Sequence, residues 1–343
     1  MAEVRTRLTR RTGDMTSRVR AAVYGSGSYV PQQVLTNAKL AEMVDTSNDW
    51  IVDRTGILER RIAGEDEATS TMAIQAGLAA CQDADFDPQE LDLILVATVT
   101  PDHQFPSTAC LVQSALCAEN AACLDLSAAC SGFIYGLSCA SAYLISNMYR
   151  NVLLIGADTM SRCVNFEDRR TCVLFGDGAA AVLMKPARNG SGMLHCCLGA
   201  DGTQGDLVKL PMGGSREPVH AEGLAQGRQY VHLEGPAVYR FASRKLVELV
   251  QRVVSESRLS MSDISLVVPH QMNLRILESA MQRIDIPEDR WYVNLQRYGN
   301  TSAASVPLAL DEARRQGRIQ SGDLVVVVGL GAGLTWGAAV LKM

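Results

Sequence analysis

From residue 71 onward, stretches with helical periodicity alternate with short, uninterrupted apolar runs rich in Val, Ile and Leu. The runs are LDLILVATV (91–99), NVLLIGAD (151–158), ISLVVP (264–269) and DLVVVVGLG (323–331), and an earlier strand is expected in RVRAAVYGSGSYVP (18–31). Continuous apolar strands set between helices read as sheets buried on both faces, so the pattern predicts an α/β architecture with helices covering each sheet.

The pattern also repeats. Helix-like TMAIQAGLAACQDA leads to a strand ending at Thr100, and Cys130 stands thirty residues further on. Helix-like YRFASRKLVELVQRVVSES leads to ISLVVPH, ending at His270, and Asn300 again stands thirty residues further on. Cys130 and Asn300 each follow a strand-like run (AACLDLSA, WYVNLQ) and precede a small-residue helix start (SGFIYGL, TSAASVPLAL). Each half closes on a Gly-rich hairpin pattern, LFGDGAAAVLM at 174–184 and LTWGAAVLKM at 334–343. Three matches in order imply one unit used twice. The expected halves are residues 21–190 and 191–343, related by a pseudo-twofold axis on which Cys130, His270 and Asn300 converge. Residues 1–20 hold six arginines against Glu3 and Asp14 without apolar periodicity, and a mobile basic tail is expected there.

Composition narrows the function. The 343 residues are 47% hydrophobic and 20% charged, enough for a large core. No apolar run has the length of a membrane span and no secretory-type stretch opens the chain, so a cytoplasmic protein without a membrane partner is expected. Lys and Arg number 32 against 37 Asp and Glu, a net charge of -5 that argues against a general nucleic-acid binder. The ten cysteines include no C-x-x-C pair and no His at zinc-ligand spacing, which predicts reduced thiols and no structural metal. GSGSYV (25–30) and GLGAGL (329–334) both lack the third glycine of a dinucleotide-binding turn, and no P-loop occurs.

Cys130 lies in LSAACSGF at an expected helix N-terminus. Free amides and the positive end of the helix dipole favour a thiolate there, lowering an ordinary pKa of about 8.5 to roughly 7 or below. Alone, such a Cys is more often an inert core residue. His270 closes an apolar strand, Asn300 could simply cap a helix, and the other four histidines read as surface residues. The three together form a pattern of a nucleophile facing a polar pair.

LDLSAACSGFIYGL, VVPHQMNLRI, RYGNTSAASVPLALDEA and GLGAGLTWGAA, with VDTSNDWIVDRTGILERRIA near the start, closely resemble β-ketoacyl-acyl carrier protein synthase III from about residue 21 to the end. The resemblance implies a thiolase-like fold, a duplicated αβαβα layering with pseudo-twofold symmetry. It implies an acyltransferase of fatty-acid synthesis that condenses a short acyl-CoA, acetyl-CoA first of all, with malonyl-acyl carrier protein through an acyl-Cys130 intermediate, releasing CoA and CO₂ without a cofactor. His270 and Asn300 then hydrogen-bond the malonyl thioester, while the backbone amides of Cys130 and Ala332 form an oxyanion hole. Trp50 and Arg169 would sandwich the CoA adenine, with Arg54 and Arg275 along the pyrophosphate and pantetheine route. Phe105 would line the acyl pocket across a homodimer interface, and Arg240, Arg244, Lys245, Gln271 and Arg275 would dock the acidic carrier. Three positions depart from the family pattern: Tyr298 stands where His is frequent, Ala332 where Gly is usual, and Pro236 where Asn often lines the pantetheine channel. A same-fold synthase using another primer in natural-product biosynthesis, a Cys-dependent thioester hydrolase and a non-catalytic partner are the competing readings.

Overall fold

The computed structural model describes residues 19–343, so the expected basic tail lies outside the described residues apart from its last two positions; Arg20 already belongs to the first strand. The first half of the chain contributes β1 (Arg20–Tyr29), β2 (Gln33–Thr36), β3 (Glu59–Ile62), β4 (Leu93–Ala97), β5 (Ala122–Leu126), β6 (Val152–Thr159) and β7 (Asp177–Ala187). The second contributes β8 (Gly192–Ala200), β9 (Val208–Lys209), β10 (His232–Leu233), β11 (Leu266–Pro269), β12 (Leu324–Gly331) and β13 (Thr335–Lys342).

Two principal sheets repeat one topology. The first runs β1-β7-β6-β4-β5 and the second β8-β13-β12-β11. In both, the outer pairings β1/β7 and β8/β13 are antiparallel, as are β7/β6 and β13/β12, and the following pairs β6/β4 and β12/β11 are parallel. The fifth strand is where they differ. WYVNLQ was expected to be a strand like β5, but it contributes a single parallel bridge, Trp291 to Val267, and turns helical at Leu295–Tyr298. The Gln271 side chain accounts for the break: Nε2 donates to the carbonyls of Pro269 and Tyr292, and Oε1 accepts from the amides of Asn294 and Leu295. A side chain thus takes the backbone groups that a ladder would have used.

Apolar alternation builds three helix layers around the sheets. On β4, Leu93 and Leu95 face the middle of the molecule, whereas Ile94 and Val96 pack on Met72, Ala73, Ala76 and Ala80 of the outer helix Thr69–Asp83. On β12, Val325 and Val327 face the middle, and Val326 and Val328 meet Leu246, Val250 and Val253 of the outer helix Gly235–Glu256. Between the sheets lie helices Gly132–Ile145 and Ser305–Arg315, which bury Phe133, Leu137, Leu144, Val306 and Leu310. Each such side chain contributes about 1.5–3 kcal/mol by leaving water. The strands read as apolar throughout because both faces are covered. No helix of the described residues is long and apolar enough to cross a membrane.

The register of the repeat differs from the one read off spacing. The same 173-residue interval separates Leu93 from Leu266, Ala129 from Ser302 and Gly132 from Ser305, pairing strand with strand, turn with turn and helix start with helix start. Ala129 and Ser302 even share a left-handed backbone, φ 47° and 52°. Cys130 therefore corresponds to Ala303, not to Asn300, and His270 to Ala97. The earlier match slipped by three residues because the apolar run to Thr100 overshoots β4, which ends at Ala97. The Gly-rich pattern at 174–184 likewise is no hairpin. It is the approach to the single long strand β7, whereas β12 and β13 do form a tight hairpin.

Candidate active site

Three chain segments meet where the two sheets approach. Cys130 sits in the 3-10 turn Ala129–Ser131 that opens helix Gly132–Ile145, and Ser131 hydrogen-bonds Ala128 through both its amide (3.2 Å) and its hydroxyl (2.8 Å). The end of β12 presses directly on this turn. A Cβ at Gly331 would lie 2.8 Å from the Ala128 carbonyl oxygen and 2.9 Å from the amide nitrogens of Cys130 and Ser131, so any side chain there would displace the backbone of Cys130. Thr335 Oγ1 ties the two elements together, 3.0 Å from the Ala128 carbonyl oxygen and 2.9 Å from that of Ala332.

His270 directly follows β11, with its amide donating to Val328 O at 2.8 Å, and is 2% exposed. Asn300 is held by the segment before β7: its amide donates to Leu174 O (2.8 Å) and its carbonyl accepts from Gly176 N (3.1 Å). That segment is pinned in turn by the buried guanidinium of Arg60, which donates to Val173 O, Leu35 O and Asn37 Oδ1. The Asn300 Oδ1 accepts from the Ser302 amide at 2.9 Å, which leaves the Nδ2 end of the carboxamide to donate elsewhere.

Cys130, His270 and Asn300 all line one cavity of about 310 Å³. The remaining wall is largely apolar, with Met160, Cys163, Phe175, Leu210, Leu233 and Phe241 among its members, and the backbone of Gly331 and Ala332 completes it beside the thiol. The electrostatics correct one expectation. The Cys130 side chain is partly accessible, yet burial pushes its thiol up to about 11, and the nearby Asp158 carboxyl, itself pushed up by burial, adds to the rise, while Ser302 and Asn300 pull the other way. The thiolate favoured by the helix terminus is thus not the resting form, because desolvation outweighs the amides and side-chain donors around the sulfur. Burial also lowers His270 to about 3, so its imidazole is neutral; Nδ1 is buried without a hydrogen-bond partner among the described residues.

The comparisons with known proteins fit this geometry. Residues 124–202 match the model for 3-oxoacyl-[acyl-carrier-protein (ACP)] synthase III, and residues 254–343 match the model for its C-terminal part. A β-ketoacyl-[acyl-carrier-protein] synthase III from Caldanaerobacter subterraneus is 49% identical over 328 residues, covering 96% of this chain and 99% of that protein. The chain belongs to the β-ketoacyl-acyl carrier protein synthase III family. The crystal structure of the Aquifex aeolicus 3-oxoacyl-[acyl-carrier-protein] synthase III superposes with a TM-score of 0.87 at 43% identity, covering 94% of this chain and all of that one (100%). The priming β-ketosynthase of the R1128 polyketide biosynthetic pathway superposes with a TM-score of 0.88 at 32% identity, covering 95% and 96%. The enzyme is accordingly a condensing acyltransferase with a thiolase-like fold.

The outlying residues fall into three groups. Trp50, on helix Asn48–Thr55, packs into the apolar cluster that includes the cavity-wall residues Met160 and Phe175, but the helix itself lines no part of the cavity. The Arg169 guanidinium already stacks on the indole, 5.2 Å from its centroid, and is anchored on the Asp45 carbonyl oxygen (2.8 Å); Arg54 lies 5.8 Å from the same ring. The expected sandwich is therefore closed, and an adenine enters only if Arg169 moves. Arg275 bridges to Asp53 (2.6 Å) and Asn273 donates to Arg54 O (2.9 Å), which joins this helix to Leu274–Met281 beside the cavity residue Met272.

Among the expected docking residues, Arg240 and Arg244 are exposed and line a surface depression with Phe241, whose ring also borders the cavity. Lys245 is committed elsewhere: its ammonium lies 4.4 Å from the Trp336 ring centroid and 2.8 Å from Glu248. Gln271 is 1% exposed and fully used by backbone groups, so it is a structural residue and not a docking one. Phe105 is 86% exposed and does not line the cavity of its own chain. Tyr298, in place of the frequent His, donates to Glu312 at 2.6 Å and stays outside the cavity. Sequence reasoning missed Asp158, Ser302 and the mouth residue Lys209. Ser302 stood inside a quoted motif, but nothing in an NTSAAS string announces a left-handed backbone beside a thiol.

Proposed function

We infer that the enzyme initiates fatty-acid synthesis by joining a short acyl-CoA, acetyl-CoA first of all, to malonyl-acyl carrier protein. The observation that carries this reading is the convergence of Cys130 from one half with His270 and Asn300 from the other on a single apolar cavity. The Cys130 sulfur attacks the acyl-CoA thioester, and its proton leaves with the departing CoA sulfur. The amides of Cys130 and Ala332 receive the oxygen of the tetrahedral intermediate. Malonyl-carrier then enters, and the neutral His270 and the Asn300 carboxamide donate to its thioester oxygen as CO₂ leaves. The enolate so stabilised attacks the acyl-Cys130, giving the β-ketoacyl-carrier and restoring the thiol with one proton from solvent. Loss of CO₂ demands charge stabilisation, not a strong base, which suits an imidazole whose pKa is near 3.

A cavity of about 310 Å³ is at the small end of ligand sites and supports a short primer. No resident cofactor takes part, since acyl-CoA is itself the substrate. The exposed Arg240, Arg244 and Arg275 support docking of an acidic carrier. Exposed Phe105 and the unpaired edge of β5 support a homodimer. Ten unpaired thiols support a cytoplasmic setting. The likeness to a polyketide priming synthase favours a second reading with a different primer, although identity to the fatty-acid synthases is higher.

Intact mass after exposure to acetyl-CoA tests the reading. An acetyl adduct is expected on the unaltered enzyme and not on Cys130→Ser, and malonyl-carrier should clear it with formation of β-ketoacyl-carrier. Acylation by octanoyl-CoA as fast as by acetyl-CoA would remove the short-primer assignment, and free acid without a new carbon-carbon bond would identify a hydrolase.

A further inference from the structure

The hydroxyl of Ser302 has no part in the reaction as described. The residue is 1% exposed, and its Oγ is buried without a hydrogen-bond partner among the described residues. Leaving a buried hydroxyl unpaired is unfavourable, because its hydrogen bonds to water are lost without replacement. Ser302 adds a second cost by holding φ at 52°, in the left-handed region that side-chain-bearing residues rarely occupy. Two unfavourable features at one residue of an active-site wall call for a function that uses them.

The turn Ser302–Ala304 packs against the turn Ala129–Ser131, which sets the Ser302 hydroxyl beside the Cys130 sulfur where both line the cavity. The turn is rigid: the Ser302 amide is bound by Asn300 Oδ1 at 2.9 Å and the Ala303 amide by Asp158 Oδ2 at 3.1 Å. The hydroxyl is therefore held without a formed hydrogen bond, between the Asp158 carboxyl, which it helps to pull down, and a thiol that becomes an acceptor only when it loses its proton. The titratable groups facing this spot are Asp158 at the end of β6, Cys163 in the turn after it, His270 after β11, and Lys209 on β9, whose ammonium is held by Asp206 at 2.6 Å. Of these, Asp158, whose own carboxyl burial pushes up, opposes a thiolate, and the neutral His270 supplies no charge to support one.

We propose that Ser302 is the side-chain donor that stabilises the Cys130 thiolate, its O–H turning onto the sulfur as the S–H bond breaks. The proton departs with the CoA sulfur, the new S–C bond forms, and Ser302 keeps its own proton throughout. Once the sulfur is acylated its charge is gone and the hydroxyl is released, so the stabilisation acts on the attack and not on the acyl-enzyme.

This assignment rests on Cys130 being the nucleophile of the proposed reaction, but its test does not require condensation. The full chain and its Ser302→Ala and Ser302→Gly variants are alkylated with iodoacetamide from pH 6 upward, and the Cys130 adduct is followed by peptide mass. Both variants are expected to raise the midpoint of Cys130 alkylation by about one pH unit and to slow it about tenfold near neutral pH. Acetylation by acetyl-CoA should slow in parallel while its KM stays within twofold. Glycine accepts the left-handed backbone more easily than alanine, so a shift in Ser302→Ala that is missing from Ser302→Gly would come from the backbone and would overturn the proposal. So would profiles that superimpose on that of the unaltered enzyme. If the expected alkylation shifts appear but acetyl-CoA leaves no adduct, the synthase reading fails while the donor assignment stands.

Discussion

The two halves of the molecule present the same strand-turn-helix corner to each other and furnish it differently. In the first half, the turn Ala129–Ser131 faces Gly331 at the end of β12, and the space beside the Cys130 amide belongs to the cavity. In the second, the turn Ser302–Ala304 faces Asp158, which stands at the matching position of β6. One Asp158 oxygen accepts from the Ala303 amide; the other accepts from Thr98 Oγ1, Val99 N, Thr100 N and Thr100 Oγ1. A helix N-terminus attracts an anion wherever it is exposed. One copy meets that attraction with its own Asp158 carboxyl, although burial pushes that group up, and the other leaves it open to the cavity, where the proposed reaction puts the substrate oxyanion. The counterpart of Cys130 is the inert Ala303 and the counterpart of His270 is Ala97, so the repeat supplies the frame and substitution sets the two corners apart.

Closing the open corner should have the largest effect. Gly331→Ala is expected to slow acetylation of Cys130 by about 10²- to 10³-fold, because its Cβ displaces the backbone amide to which the proposed reaction assigns the oxyanion. Stopped-flow or quenched intact-mass kinetics would measure this, and a loss under threefold would mean the corner is not the oxyanion site. Disturbing the filled corner should act on stability. Asp158→Asn turns a donor toward the Ala303 amide and is expected to cost about 2–3 kcal/mol in urea denaturation. Acetylation of Cys130 in folded Asp158→Asn should survive, and its loss would show that the two corners are coupled.

The smallest expected effect concerns pH. Burial holds His270 to about 3 in the folded enzyme, against an ordinary value near 6.5, so between these limits the unfolded chain binds a proton that the folded one does not. Stability attributable to this residue is full above pH 6.5 and is lost progressively as pH falls toward 3. Denaturation midpoints measured between pH 7 and 4.5 should therefore fall more steeply for the unaltered enzyme than for His270→Gln. Equal slopes would show an imidazole that titrates normally and an active site more open to water than its burial indicates.

The meeting of Cys130, His270 and Asn300 on one cavity was legible in the sequence because each sits at a strand end or helix start, where local pattern and residue type coincide. The sequence carried the repeat but misaligned it by three residues, since apolar continuity through Val99 does not reveal that β4 stops at Ala97. Gln271 looked like a surface residue beside an active histidine. Only the folded chain reveals that its amide replaces a strand's hydrogen bonds. Likewise Arg169 was placed opposite Trp50 by motif, and the structure finds the two already stacked.

The apolar runs by themselves determined a layered α/β molecule, because covering both faces of a sheet leaves no polar alternation to hide. The residue types determined which sulfur, imidazole and carboxamide were worth watching. Tertiary structure alone decided that the thiol rests protonated, that one corner is filled and the other open, and that a serine hydroxyl waits unpaired at the sulfur. Those properties depend on desolvation and on contacts between segments about 170 residues apart, which fall off within a few ångströms and leave no periodic trace along the chain.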